Sequence, residues 1–427
     1  MADTIAGVPP PGLTGRKPGL AMACLALSLL AGSAEAQTRD TLGGNVQGLI
    51  AAGRELSPAL RAAALESEAA AARASGAAAL DDPVISDSYQ YYQDPGVFSA
   101  HTVMVTQAFP LWGKRDLRRE AAQADVDTAR GREQAARDEL DEKIKVAFAQ
   151  YAVLTRSVAV NREVQDIARR LRVATEARFA QGGGDQAGTI RAQGEETAAK
   201  LELARLEGER TATRARLNTL VGRRADSPLA DPQTARTAVV VVPAIAILLE
   251  RARAGNPTLS SQNAAVAAAR TRSTLADKAW YPDITVGGGP LIQTNNRPVG
   301  FAATIGLNIP VPWGREASGQ REAAANVGAS QQRYDAVLLD IEGSLGEARA
   351  RLDAARQTAV LLRRESLPQA RATLRAVLAA YGQGRGDLAG AIEAERQIHN
   401  VELAALRADL DERVALAAIE RLIGGDL

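Results

Sequence analysis

The chain has 427 residues and a formal net charge of +1 at pH 7, so it offers no basic balance that would point to a nucleic-acid partner. Aromatic residues make up 4% of it, too few for a conventional large core, while alanine is abundant. Alanine-rich stretches interleaved with Glu and Arg suit long, closely packed helices rather than a β-sandwich.

Residues 1–36 read as an export signal. Arg16 and Lys17 precede an apolar run at 20–31, and Ala34-Glu35-Ala36 supplies a small-x-small cleavage pattern. The run is too short to cross a bilayer as a helix. Cys24 is the only cysteine, and the Ala21-Met22-Ala23 before it lacks the leucine of a lipid-acceptor site. It is therefore expected to leave with the signal, so that no disulfide forms. Beyond the signal no run of 18 apolar residues occurs; the best stretch, 238–249, is interrupted by Pro243. An exported chain of this kind is either soluble or a β-barrel whose strands alternate weakly.

The remainder is a duplication. "FPLWGKR" at 109–115 returns as "IPVPWGR" at 309–315, and "SPAL" at 57–60 returns as "NPTL" at 256–259. Pro58 to Pro83 and Pro257 to Pro282 are both 25 residues. "REAA" at 119–122 matches 321–324, "FAQGGGDQAGTI" at 179–190 matches "YGQGRGDLAGAI" at 381–392, and "LNTLVG" at 217–222 matches "IERLIG" at 419–424, each at an offset of 202. The expected organisation is a first repeat over 37–222, a linker over 223–245 and a second repeat over 246–427. Each repeat predicts a helix of about 25 residues ending at a proline (Pro83, Pro282), two extended segments, the Trp-Gly corner, a very long helix, a glycine-rich break and a second long helix.

The long helices carry a seam. Tyr334, Leu338, Ile341, Leu345, Ala348, Leu352, Ala355, Ala359 and Leu362 alternate steps of four and three, the spacing that buries one stripe against a partner helix. Ile144, Phe148, Tyr151, Leu154 and Val158 do the same in the first copy. Pro368 interrupts the second copy alone, which predicts a kink there. The extended segments alternate with period two: Phe301, Ala303, Ile305, Leu307 and Ile309 against Ala302, Thr304, Gly306 and Asn308. Val103, Val105 and Phe109 oppose Thr102, Met104, Thr106 and Ala108, with Gln107 out of place. Apolar on one side and small or polar on the other fits a membrane barrel with a wet lumen, and also a half-buried sheet in a soluble protein. Four strands cannot close a barrel, and lipid tolerates no open sheet edge, so strands in a membrane require several chains to share one barrel.

At the "FP-x-W-G-K-R" corner and the "[FY]-x-x-G-x-x-D" turn the chain resembles the TolC-type outer-membrane efflux factors, over essentially its whole mature length. The corner is most similar to that of the family's metal-cation branch. The resemblance implies a mainly α fold with a small β part, trimerising into a 12-strand outer-membrane barrel continuous with a periplasmic helical tunnel. It further implies docking to a periplasmic adaptor protein and an inner-membrane transporter, usually of the proton-driven RND class.

The resemblance also assigns sites. Gly182, Gly183, Gly184 and Asp185, with Gly384, Gly386 and Asp387, would form the adaptor-docking periplasmic tips. Glycine there suits positive φ, and Asp an N-cap. In relatives a tyrosine and two acids close the entrance. Tyr381 matches the tyrosine and Glu393 one acid, whereas Gly390 stands at the other and Arg385 lies one position from the expected arginine. Three Glu393 carboxylates in a ring would favour cations. Trp112 and Trp313, where strand gives way to helix, and Tyr89, Tyr91 and Tyr92 suit the two membrane–water boundaries, although junction packing explains the tryptophans equally.

No catalytic, cofactor or metal residues are expected. The chain lacks His-Glu-x-x-His, Gly-x-Ser-x-Gly and a phosphate loop, and His101 and His399 stand alone in sequence. The reading is thus a passive exit duct for small substrates, heavy-metal cations being one candidate. A duct for type I protein secretion or drug efflux is a second reading, and a soluble periplasmic coiled-coil scaffold a third.

Overall fold

The computed structural model describes residues 42–91, 99–182, 186–233, 240–293, 298–383, 385 and 388–427. Residues 1–36, expected from the sequence to be an export signal, lie outside the described residues. The first repeat comprises α1 (Val46–Leu56), α2 (Pro58–Gly76), β1 (Val84–Gln90), β2 (Ala100–Phe109), α3 (Lys114–Ala180) and α4 (Gln186–Leu220). The second follows the same order: α5 (Ile245–Gly255), α6 (Pro257–Asp277), β3 (Asp283–Gln293), β4 (Gly300–Asn308), α7 (Arg315–Leu361), α8 (Leu367–Gly382) and α9 (Leu388–Ile423). The chain is mostly helical, with two copies of one architecture.

Each copy opens with two helices hinged at a proline, because Pro58 and Pro257 occupy a first helical position where no N–H is needed. Asn256 caps α6, accepting from the Leu259 N–H at 3.0 Å, and its amide donates to the Leu422 carbonyl at 2.9 Å, tying the end of α9 to this hinge. The helices after the hinge are shorter than the sequence led us to expect. They have 19 and 21 residues and stop well before Pro83 and Pro282. A residue preceding proline is pushed out of the helical region, and in the second copy a 3-10 turn, Lys278–Trp280, fills part of the gap.

The duplicated "LVG" and "LIG" endings have a packing reason. Gly222 (φ 72°) and Gly424 (φ 71°) terminate α4 and α9 in the left-handed region. A Cβ on Gly222 would stand 2.6 Å from the Leu56 carbonyl oxygen, and one on Gly424 2.1 Å from that of Gly255. Leu56 and Gly255 end the equivalent helices α1 and α5. The two cores sit beside these closures: Leu49, Ile144, Leu217 and Val221 in the first copy, and Leu248, Leu345, Leu352 and Ile419 in the second, all fully enclosed.

The α7 seam forms as its spacing predicts, with Ile341, Leu345, Ala348, Leu352, Ala355 and Ala359 buried. At ~1.5 Å per residue the 67-residue α3 extends on the order of 100 Å without a break. Its counterpart is interrupted by a π turn, Leu362–Ser366, directly ahead of Pro368. Proline has no N–H to donate and crowds the carbonyl four residues back; the wider turn absorbs both defects.

The strands form one antiparallel sheet in the order β1-β2-β3-β4. β2 and β3 pair across the repeats, Val105 opposite Gly288 and Phe109 opposite Ile284. β1 and β4 are the two edges, each with one neighbour. None of the described helices is long and apolar enough to cross a membrane.

Candidate functional site: sheet, corners and tips

Directly paired residues of an antiparallel sheet share a face. The register therefore gathers Ile85, Val105, Phe109, Ile284, Val286, Ile292, Phe301, Ile305 and Leu307 on one side. Ser86, Ser88, Thr102, Thr106, Thr285, Gly287, Thr304 and Gly306 occupy the other, with Val84, Met104 and Leu291 as its larger apolar members. The apolar side is uncovered: Phe301 is 77% and Ile305 79% exposed. Such an area on a soluble monomer would be an association hazard; in lipid it is the required surface.

Polar groups interrupt the apolar side only near its ends. At one end Asp87 and His101 lie 3.7 Å apart, with the Tyr89 ring 4.4 Å from the His101 ring and 6.4 Å from that of Tyr91. Tyr89 and Tyr91 are exposed there, while Tyr92 lies outside the described residues. At the other end Gln107 donates to the Asp81 carbonyl at 2.7 Å. That bond explains the one residue that broke the alternation: Gln107 faces the apolar side where the sheet meets the helices.

The first Trp-Gly corner is clamped to the second repeat. Trp112 has φ 62° and Gly113 φ 76°, two successive left-handed residues that turn β2 into α3. For tryptophan this conformation is strained, and surrounding contacts hold it. Trp112 Nε1 donates to the Pro282 carbonyl at 2.8 Å, and its ring lies 5.3 Å from that of Tyr281. Lys114 Nζ donates to the Tyr281 carbonyl at 2.8 Å and to both carboxylate oxygens of Asp283, at 2.9 and 2.8 Å. The Leu111 N–H completes the set on Asp283 at 3.0 Å. Sequence reading singled out Trp112 but missed Lys114 and Asp283, whose signal was an acid set directly after Pro282 at the head of an apolar strand.

Among the described residues the second corner has no such dock. Trp313 is 88% exposed, Arg315 is exposed, and Gly314 (φ 96°) is the left-handed residue there.

At the far ends of the long helices, Gly182 (φ 75°) closes α3, its N–H donating to the Phe179 carbonyl at 3.0 Å. Beyond the end of α8 the Arg385 N–H donates to the Ala380 carbonyl at 3.0 Å. Gly183, Gly184, Asp185, Gly384, Gly386 and Asp387 lie outside the described residues, as does the side chain of Tyr381. Glu393 is exposed on α9, with a carboxylate oxygen 3.6 Å from Arg396. Arg396 also pairs with Glu195 on α4, so it joins the tips of the two repeats. Sequence reading missed Arg396, because nothing in its spacing marks a contact to a helix 201 residues away. Within the first hairpin Arg172 binds Glu196 at 2.5 Å and Arg162 binds Glu207 at 2.7 Å; Arg356 and Glu412, 2.8 Å apart, do the same between α7 and α9.

Further up α9, His399 is largely enclosed and neither ring nitrogen has a hydrogen-bond partner among the described residues. Burial pulls its pKa below the ordinary value, while Glu402 and Glu163 oppose that shift. Among the described residues no cluster of three His, Cys, Asp or Glu side chains is arranged to hold a metal ion.

Comparison with known proteins places this geometry. The family model for outer membrane efflux proteins matches residues 49–223 and 248–425, once in each repeat. A search of curated protein sequences found no match. Among solved structures, CusC is 17% identical, with 89% of this chain and 92% of that one covered and a TM-score of 0.78. The outer membrane protein VceC of Vibrio cholerae is 18% identical, with 89% and 96% covered and a TM-score of 0.76. The open state of the Neisseria gonorrhoeae MtrE outer membrane channel is 20% identical, with 90% and 89% covered and a TM-score of 0.74.

Proposed function

Because this chain belongs to the outer membrane efflux protein family, and so acts as an efflux channel in the outer membrane rather than as an enzyme, we propose that three copies pool their strands into one barrel enclosing a water-filled duct. Membership sets aside the soluble scaffold. The observation that carries the proposal is the sheet itself: four strands, two open edges, an apolar side and a side of Ser, Thr and Gly. In lipid an unpaired edge amide has no water to bond, so β4 of one copy pairs with β1 of the next until the wall closes at twelve strands. The apolar side faces lipid and the hydroxyl-bearing side lines the lumen. Tyr89, Tyr91 and Tyr92 mark one headgroup level, and Trp112 and Trp313 the other.

The long helices continue the wall into the periplasm. Their tips, at Gly182–Asp185 and Gly384–Asp387, meet a periplasmic adaptor that links the duct to an inner-membrane RND transporter. Tyr381, Arg385 and Glu393 narrow the entrance. The duct performs no chemistry: it holds solutes weakly and opens when its partners spread the tips. Heavy-metal cations as cargo rest on the corner's likeness to the metal-cation branch alone. Export of a chromogenic drug, with unchanged metal tolerance on deletion, would favour the drug-efflux or secretion reading instead.

Fractionation combined with planar-bilayer recording tests the core of the proposal. A heat-dissociable trimer in the outer membrane that conducts ions supports it. A protein that inserts but never conducts contradicts it.

A further inference from the structure

The two corners are equivalents in the duplication, yet only one is docked. Corner one follows β2 and seats on the residues ahead of β3, the strand beside β2. Corner two follows β4, and among the described residues no strand of this chain lies on its open side. The repeat equivalent of β3 is β1, which is the opposite edge of the same sheet, so only another copy of the chain can bring it there.

The residues have changed together, as that arrangement requires. In corner one the Leu111 N–H donates to the Asp283 carboxylate. The position before the tryptophan in corner two is Pro312, which has no N–H, and the position after the proline ahead of β1 is Val84, which has no carboxylate. Donor and acceptor are both gone. The cation is kept, Arg315 in place of Lys114. With Val84 uncharged its counterion must come from elsewhere, and Asp81 and Asp82 precede Pro83. Asp82 and Arg315 are exposed, and neither is paired within the lone chain among the described residues. Trp313 also lacks the positive φ that Trp112 adopts. The strain is therefore present only where the contact that holds it is made.

We propose that corner two of each subunit seats on the entry to β1 of its neighbour, with Trp313 Nε1 donating to the main-chain carbonyl of the partner subunit's Pro83 and Arg315 pairing with the partner subunit's Asp82. The latch rests on the trimeric reading above and adds to it a specific inter-subunit contact at the level where strands become helices. It repeats between subunits the tryptophan-to-carbonyl bond and the cation–acid pairing that join the two repeats within one, so the ring is fastened at every second strand boundary. A planar guanidinium with two acids in reach suits a contact made on assembly, because it can choose its oxygens as the subunits meet.

Two variants of the full-length chain test it. The first carries Arg315→Cys with Asp82→Cys; Cys24 is the only native cysteine and lies in the signal region. Treated with a short thiol-reactive bis-maleimide in isolated outer membranes, it should give a ladder up to three linked subunits on a denaturing gel, and neither single variant should. The second is a charge exchange. Arg315→Asp and Asp82→Arg should each lower the temperature at which the detergent-extracted trimer dissociates, and the two together should restore it. If the wild-type chain is a trimer but the double-cysteine variant yields no ladder and the single exchanges leave the dissociation temperature unchanged, the latch alone is overturned. A wild-type chain that stays monomeric in the membrane overturns the trimeric reading and the latch with it.

Discussion

Lys114 Nζ lies 2.9 and 2.8 Å from the two carboxylate oxygens of Asp283, joining the base of the first long helix to the head of the second repeat's first strand. The lysine side chain is 9% exposed and the aspartate 28%, so each charge depends on the other for solvation. Breaking a buried pair by deleting one partner costs roughly 3–5 kcal/mol, and the partial exposure of Asp283 places this pair at about the lower end. Lys114→Ala should therefore lower the thermal unfolding midpoint of the detergent-held protein markedly. Asp283→Asn, which keeps an acceptor for the Leu111 N–H, should lower it less than Asp283→Ala. Equal midpoints for all three variants and the wild type would contradict this role.

Glycine substitutions should separate by sign. Gly424→Ala forces a Cβ into the left-handed region and against the Gly255 carbonyl, so a loss of about 2 kcal/mol or more is expected. Gly208 lies inside α4 with open space where a Cβ would stand, nothing coming within 4 Å of it, and Gly208→Ala should stabilise by roughly 0.5–1 kcal/mol. Thermal unfolding of both variants checks the pair, and a shift in the same direction for both would be inconsistent.

At the tips, Glu393→Ala should raise single-channel conductance and weaken cation preference in a planar bilayer. Arg396→Ala removes the contact to Glu195 as well as that to Glu393, so it should open the tip further than Glu393→Ala does. Unchanged conductance and ion preference in both variants would count against an entrance there.

Acid should weaken the protein through His399. Its folded pKa is depressed by burial, so the unfolded chain takes up a proton more readily. Stability is then lost as pH falls below the unperturbed value of about 6.5 and towards the folded value. Half-buried Asp409 and Glu395 act in the opposite sense, since partial burial raises both and protonation relieves them as pH falls. His399→Gln should flatten the stability profile just below about pH 6.5 and leave it unchanged above about pH 7.5. A profile identical to the wild type would remove His399 from the account.

Much of the fold was legible because duplication prints the same solution twice. The seam from Ile341 to Ala359 could be read from spacing alone, since it follows from a local rule of helix geometry. The endings at 217–222 and 419–424 could be read only as a repeat, and their role as glycine stops comes from the structure. What could not be read depends on pairings distant in sequence. Gln107 looked misplaced until its bond to Asp81 placed it at the foot of the sheet. Arg396 carried no local mark of its reach to Glu195. The helices ahead of Pro83 and Pro282 were drawn too long, because proline sets where a helix cannot be and not where it stops. The exposed side of Phe301 and Ile305 was legible as an alternation, but one strand's pattern does not say whether lipid or protein covers it.

Imaging of the lipid-embedded particle by single-particle electron microscopy tests the central claim most directly. The account predicts three subunits around one axis, β4 of each hydrogen-bonded to β1 of the next, with a continuous water-filled lumen behind the Thr and Gly side of the sheet. A particle in which that side is packed dry within one subunit, and β1 and β4 remain unpaired, would contradict it.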